Sequence, residues 1–402
     1  MSGVGGVSLQ RAGPAQGITL MAVLTMPVLA LAGLVADLPQ LFRVFASDPH
    51  HALLVPMIIT VPSLCVALFS GVAGAIADFW GRRRLLIVAL LAFGVLGLMP
   101  LAFNSLPLII GSRVVVGLAE AAILTTGNAL IGDYFEGAER QRWLGYQNMI
   151  GPFMGSSILL AGGLLAGQHW RAPFLLYLLG FVVLGLVLRY CWEPEHKAAT
   201  ETSSATARSF PWLATLLVCG TTTVLSMVYF VQAVQHGRIF ADLGVDSPER
   251  ISLLVTVASM GTVVGGYLFK RWGRLTTGQR LSVALACYGI AYVGVGWAPN
   301  FKVGLPLDAF GQIGGGLLLP VLISWGLSQY SFEQRGRGMG LWGGCFFLGQ
   351  FLSPPMMTLV GAWAGSFLAT VAIVGWLCLA TSGLLWAGAS LVATRRSYVL
   401  LP

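Results

Sequence analysis

Gly74-Ala75-Ile76-Ala77-Asp78-Phe79-Trp80-Gly81-Arg82-Arg83-Arg84 sets one acid and three successive arginines between two long apolar runs. A second copy, Gly266-Tyr267-Leu268-Phe269-Lys270-Arg271-Trp272-Gly273-Arg274, follows 192 residues on, from Gly74 to Gly266. A weaker echo joins Arg140-Gln141-Arg142-Trp143-Leu144-Gly145 to Arg335-Gly336-Arg337-Gly338-Met339-Gly340. Each pair opens or closes an apolar run at the same place in its half, so the chain reads as two parallel repeats. Repeats of this kind in a membrane protein put a substrate site at their interface, near the bilayer midplane.

Composition agrees with a chain dissolved in lipid. Of 402 residues 56% are hydrophobic and 9% charged, whereas soluble domains carry about 25% charged residues. The apolar runs are long and uninterrupted, as in Leu85 to Ser112, and lack the short alternation of a transmembrane β-barrel. The expected fold is therefore an all-α polytopic membrane protein with about twelve transmembrane helices in two six-helix pseudo-repeats. The expected units are 1–192, a cytoplasmic linker over 193–210, and 211–402. The first span is expected over 17–42 and the seventh over 211–236.

The net charge of +8 is topological. Most basic residues, among them Arg82, Arg83, Arg84, Arg140, Arg142, Lys270, Arg271, Arg335 and Arg337, fall on the side of the N-terminus. That is the positive-inside pattern of an inner (plasma) membrane protein with both termini cytoplasmic, and it implies no nucleic-acid partner. The six cysteines show no metal-ligand spacing and read as small core residues. The chain shows no nucleotide-binding Gly-x-x-x-x-Gly-Lys-Ser/Thr run and no nucleophile elbow, which argues against an ATP-driven pump and against an enzyme. No cofactor is called for. The partners expected are the bilayer, protons and a small-molecule substrate, with the chain acting as a monomer.

Gly74, Asp78, Gly81, Arg82 and Arg83 match the signature Gly-x-x-x-Asp-x-x-Gly-Arg-Arg/Lys, by which the chain resembles the major facilitator superfamily. The resemblance implies that Asp78 caps a neighbouring helix and pairs with Arg to latch the cytoplasmic side. Arg113-Val114-Val115-Val116-Gly117 is similar to the family's second motif. Glu120 lies seven residues beyond Arg113, about 10 Å along one helix face. Charged groups at this depth cost at least about 2.5 kcal/mol each, so Glu120 is the leading candidate for proton coupling, with Arg113 its partner and Asp37 and Asp308 next. Gly151, Pro152 and Gly155 resemble the core of the drug/proton antiporter motif, with Gln147 and Ser156 in place of two glycines.

The superfamily's first, fourth, seventh and tenth helices line a central cavity, which implies substrate contacts from Tyr229, Gln232 and His236, at helical spacing on the seventh span, and from Asn128 and Gln312. His236 is expected near the water-facing end. The resemblance favours proton-coupled export of amphipathic small molecules, drugs included. Transport of a specific metabolite or siderophore is the alternative, and a non-transporting receptor or scaffold the third reading.

Overall fold

The computed structural model describes residues 12–194, 210–272, 275–331 and 334–399. Most of the expected linker (195–209) and the repeat residues Gly273 and Arg274 lie outside the described residues. The helices are α1 (Pro14–Val35), α2 (Leu38–Val44), α3 (His51–Trp80), α4 (Arg82–Gly97), α5 (Leu106–Tyr134), α6 (Gly137–Ala166) and α7 (Leu179–Tyr190). They continue with α8 (Trp212–Asp242), α9 (Pro248–Arg271), α10 (Thr277–Gly296), α11 (Phe301–Ser328), α12 (Arg335–Ala364) and α13 (Phe367–Val399). A 3-10 turn over Ala172–Leu178 runs directly into α7, and the two together make one crossing.

Among the described residues, ten crossings are long and apolar enough to span a bilayer by composition. The other two long helices described are α6 and α10. Their first turns carry Glu139, Arg140 and Arg142, or Gln279 and Arg280, which lowers their mean hydropathy. The apolar part of α6 is Phe153–Ala166, and the 20 residues of α10 reach about 30 Å at 1.5 Å per residue. With them the expected twelve crossings are all present as helices.

Local chemistry sets the ends. Ser247 accepts from the Arg250 backbone N–H at the start of α9, and Asn300 accepts from those of Lys302 and Val303 at the start of α11. Thr276 and Gln279 form a reciprocal capping box on α10, which satisfies donors a helix start leaves free. Two boundaries differ from expectation. The first crossing breaks at Ala36 and Asp37, and α2 begins with Pro39 in its first turn, a position where proline is favoured because its missing N–H is not needed. The seventh runs on through His236, Gly237 and Arg238 to Asp242, so polar residues that suggested an ending lie within the helix.

One hydrophobic cluster draws on α1 to α7, with Phe230 and Val234 from α8, and a second draws on α8 to α13. Tyr229 and Phe346 pack on both. A third, smaller cluster closes the end of the molecule opposite Arg82 to Arg84, here called the far end. It joins Val35 and Ala36, Leu159 on α6, Phe240 on α8, and Val245, Ile251 and Val255 at and on α9. At its edge a methyl group on Gly237 would collide with the carbonyl oxygen of Val35. Only glycine lets α1 and α8 approach this closely.

Gly237→Val is therefore expected to part α1 from α8 at the far end. In a variant carrying Ala36→Cys, fully buried here, an impermeant maleimide should label at least tenfold faster once Gly237→Val is added. Equal rates would contradict the seal.

Candidate functional site

Between α8, α9 and α11 lies a buried polar group made mostly of residues singled out in the sequence. His236 and Asp308 are each 2% exposed, and His236 Nε2 lies 3.0 Å from Asp308 Oδ2. Gln232, one turn before His236, donates through Nε2 to Asp308 Oδ1 at 2.5 Å and to the Asp308 backbone carbonyl at 2.8 Å. Gln312, one turn after Asp308, brings its Nε2 to 3.4 Å from the same His236 Nε2. Thr262 on α9 donates to Gln312 Oε1 at 2.8 Å. That bond ties the Gln312 amide to α9.

One ring nitrogen thus faces a carboxylate and an amide at once. Asp308 Oδ2 lies 3.0 Å from Nε2 but makes no hydrogen bond, so the carboxylate meets the imidazole as a charge contact, while Nε2 pairs with Gln312. A protonated imidazole attracts the ionised carboxylate and a neutral one does not, and in a low-dielectric interior that difference is large. Tyr229 sits further along α8 against Phe230 and Phe346, with ring centroids 5.0 and 5.9 Å away. Trp342 stacks on Phe346 at 5.6 Å. These rings form an aromatic wall between the two large clusters.

The other half holds its charges apart. Arg113 is fully buried and donates through Nη2 to the carbonyls of Leu96 and Gly97, at 3.0 and 3.1 Å. Its guanidinium also faces the rings of Phe174 and Tyr177, 5.3 and 4.9 Å from the centroids. Among the described residues it makes no ion pair. Glu120, at the centre of α5, is 5% exposed, and its Oε1 has no hydrogen-bond partner. Asp37 is fully buried at the break after α1, with both carboxylate oxygens unpartnered.

At the end carrying Arg82 to Arg84, the basic end, Arg82 Nη1 binds both carboxylate oxygens of Asp133 on α5. Its Nη2 donates to Asp78 at 3.2 Å. Glu193 accepts from the backbone N–H groups of Arg82 and Arg83, at 2.7 and 3.1 Å. Gly81 makes this turn with φ of 103°, a region open to glycine and strained for other residues. The helix cap here is thus Glu193, while Asp78, 62% exposed in its side chain, pairs along its own helix edge.

The signature between α3 and α4 and the paired halves are matched by the wider sequence, since residues 18–310 fit the profile described as Major Facilitator Superfamily. The chain belongs to that superfamily. It is a secondary transporter of small molecules and not an enzyme. It is 24% identical over 327 residues to the bacillibactin exporter of Bacillus subtilis (strain 168), covering 75% of this chain and 79% of that one. It is 24% identical over 377 residues to the class C tetracycline resistance protein of Escherichia coli, covering 87% and 90%. In structure it superposes with a TM-score of 0.70 on a bacterial homolog of the human lysosomal transporter Spinster, in an inward-facing and occupied conformation. That match has 16% identity and covers 96% of this chain and 98% of the other.

Within the superfamily fold, Gly151 and Gly155 lie on α6, which runs unbroken through Pro152; the side chain of Pro152 lies outside the described residues. A methyl group on Gly155 would touch Val28 of α1 at 3.4 Å, and Gly151 faces open space. Asn128 is exposed and donates to the Leu124 carbonyl. Sequence reading had not singled out Glu193, Asp133, Thr262 or Trp342. Only Glu193 left a signal, an acid directly after the sixth apolar run.

The cap makes a stability difference measurable. Glu193→Ala should cost about 1 kcal/mol, in the range for a lost N-cap, and lower the thermal midpoint in detergent. Asp78→Asn, at an exposed side chain, should leave the midpoint within error of wild type. The reverse order would overturn the assignment of Glu193 as the cap.

Proposed function

We propose that this chain is a proton-coupled exporter of amphipathic small molecules, drugs included, working by alternating access in the inner (plasma) membrane with both termini in the cytoplasm. The observation that carries this reading is the His236 nitrogen held between Asp308 and Gln312. A buried pair whose contacts change with one proton has the chemistry a coupling site needs. His236 is followed directly by Gly237, where α8 touches α1 at the far-end seal. Proton arrival and seal opening therefore share one turn of helix.

In this reading the basic end faces the cytoplasm, in keeping with the positive-inside rule. The sealed far end and the exposed Asn128 belong to an inward-facing state. The ion pairs of Arg82 with Asp78 and Asp133 form the cytoplasmic latch in its released arrangement. The aromatic wall of Tyr229, Phe346 and Trp342 supplies a surface on which amphipathic substrates slide. Protons entering down their gradient do the work, about 2.3 kcal/mol for each charge across 100 mV. Glu120, in the other half, is the second proton site, and 1–192 and 211–402 are the two bodies that rock. The tetracycline resistance protein, which this chain covers over most of its length, supports the drug-export reading. Export of one specific metabolite or siderophore is the second reading, and the bacillibactin exporter is what favours it.

Reconstituted protein separates the steps. Tetracycline, taken up by inverted proteoliposomes under an imposed pH difference, is the first probe, followed by siderophore-type substrates. Asp308→Asn is expected to lose at least nine-tenths of uphill transport while keeping exchange driven by the substrate's own gradient. Glu120→Gln should lose uphill transport to a lesser degree. If Asp308→Asn still concentrates substrate against its gradient, the coupling site lies elsewhere, and if wild type ignores the pH difference, proton coupling itself fails.

A further inference from the structure

A cavity of about 260 Å³ opens at the far end between α3, α8, α12 and the start of α13. It lies on a different face of α8 from the His236 group, and no step of the transport reading uses it. Two side chains with free donors line it. Gln235 is 1% exposed, and its Nε2 has no hydrogen-bond partner. Arg238, one turn away, has its guanidinium held against two rings, 4.7 Å from the centroid of Phe42 and 4.1 Å from that of Phe367. Asp242, a turn further along, offsets part of this charge electrostatically, but among the described residues it forms no ion pair with Arg238.

The remaining polar lining is committed elsewhere or adds to the same field. Thr358 and Thr370 spend their hydroxyl protons on the carbonyls of Pro354 and Ser366. Ser366 caps α13 by accepting from the Ala369 N–H, and the positive end of that helix faces the cavity through Ser366 and Phe367. Pro56, Met357 and Phe367 supply apolar wall. A buried amide N–H without a partner, a ring-clamped guanidinium and a helix start all favour negatively charged oxygen. The volume lies below the range of about 300–1,000 Å³ usual for drug-sized ligands.

We propose that this far-end pocket binds the anionic oxygen group of a small organic carboxylate, its apolar body lying against Pro56, Met357 and Phe367. Arg238 and Gln235 take the carboxylate, and Ala52, exposed at the rim, admits it. The pocket is separate from the coupling site, so binding requires no gradient and no transport.

The test uses full-length protein purified in detergent, titrated calorimetrically with benzoate and with its neutral isostere benzamide. Benzoate is expected to bind at least tenfold more tightly than benzamide. Arg238→Gln should weaken benzoate at least tenfold, and so should Ala52→Trp, which blocks the rim and leaves every donor in place. The second variant keeps the test decisive if the first fails to fold. Equal binding of the two probes, no benzoate binding to wild type, or undiminished binding to a folded Ala52→Trp would each overturn the proposal. Phosphatidylglycerol in mixed micelles provides the last arm. If it displaces benzoate at equimolar concentration, the anion is a lipid headgroup, and the assignment to a soluble carboxylate is wrong.

Discussion

The Nε2 atom of His236 faces the Gln312 amide and the Asp308 carboxylate at once. The backbone around it needs no such polar group, since α8 and α11 pack through apolar residues and glycines along their other faces. An acid buried within a membrane helix, as Asp308 is, is costly to insert, and a neighbouring base recovers part of that cost. Gln232 and Thr262 hold Asp308 and Gln312 in place by binding their far sides. The result is a buried group in which Asp308 Oδ2 and Gln232 Oε1 are left without hydrogen bonds. Interiors of this kind are bistable, because packed side chains move between discrete arrangements and do not deform continuously.

The position of that group gives it leverage. His236 adjoins Gly237, and Gly237 is where α1 and α8 come within backbone contact. Val35 and Ala36 continue the contact into the third cluster with Phe240, Val245 and Ile251, and the chain breaks at Asp37 immediately afterwards. At the opposite end the ties are polar and partly exposed, with Arg82 shared between Asp78 and Asp133. A dry apolar seal at one end and a solvated charge cluster at the other respond to different forces. The seal responds to packing and to the buried proton, and the charge cluster to whatever approaches the basic loops.

Much of this fold was legible without coordinates, because the bilayer forces long apolar helices and the Gly74 to Arg84 run recurs at Gly266. Local chemistry misled in two places. The cluster His236-Gly237-Arg238 looked like the end of the seventh crossing, yet the helix continues to Asp242, since His236 is packed against polar groups of α11 and the Arg238 guanidinium lies against aromatic faces. Pro39 was read inside the first crossing, although it starts a separate short helix. Helical spacing picked out Gln232 and His236, and the scarcity of acids in apolar runs picked out Asp308, but their meeting is tertiary and no spacing encodes it. Arg113 and Glu120 share a helix two turns apart, yet Arg113 turns to the Leu96 and Gly97 carbonyls, acceptors that composition cannot point to. Glu193 was counted with the linker because a charge after an apolar run marks an ending as readily as a cap.

Nitrogen-15 magnetic resonance of the imidazole of His236, in protein reconstituted into lipid, tests most directly whether the Asp308 carboxylate acts on this ring. With only 5 histidines in the chain, the His236 signals can be assigned by difference against His236→Asn. The account predicts that Asp308→Asn, which removes the carboxylate 3.0 Å away, shifts the Nε2 resonance from its wild-type position, and that Gln312→Leu shifts it as well. An Nε2 resonance that Asp308→Asn leaves unmoved would contradict it.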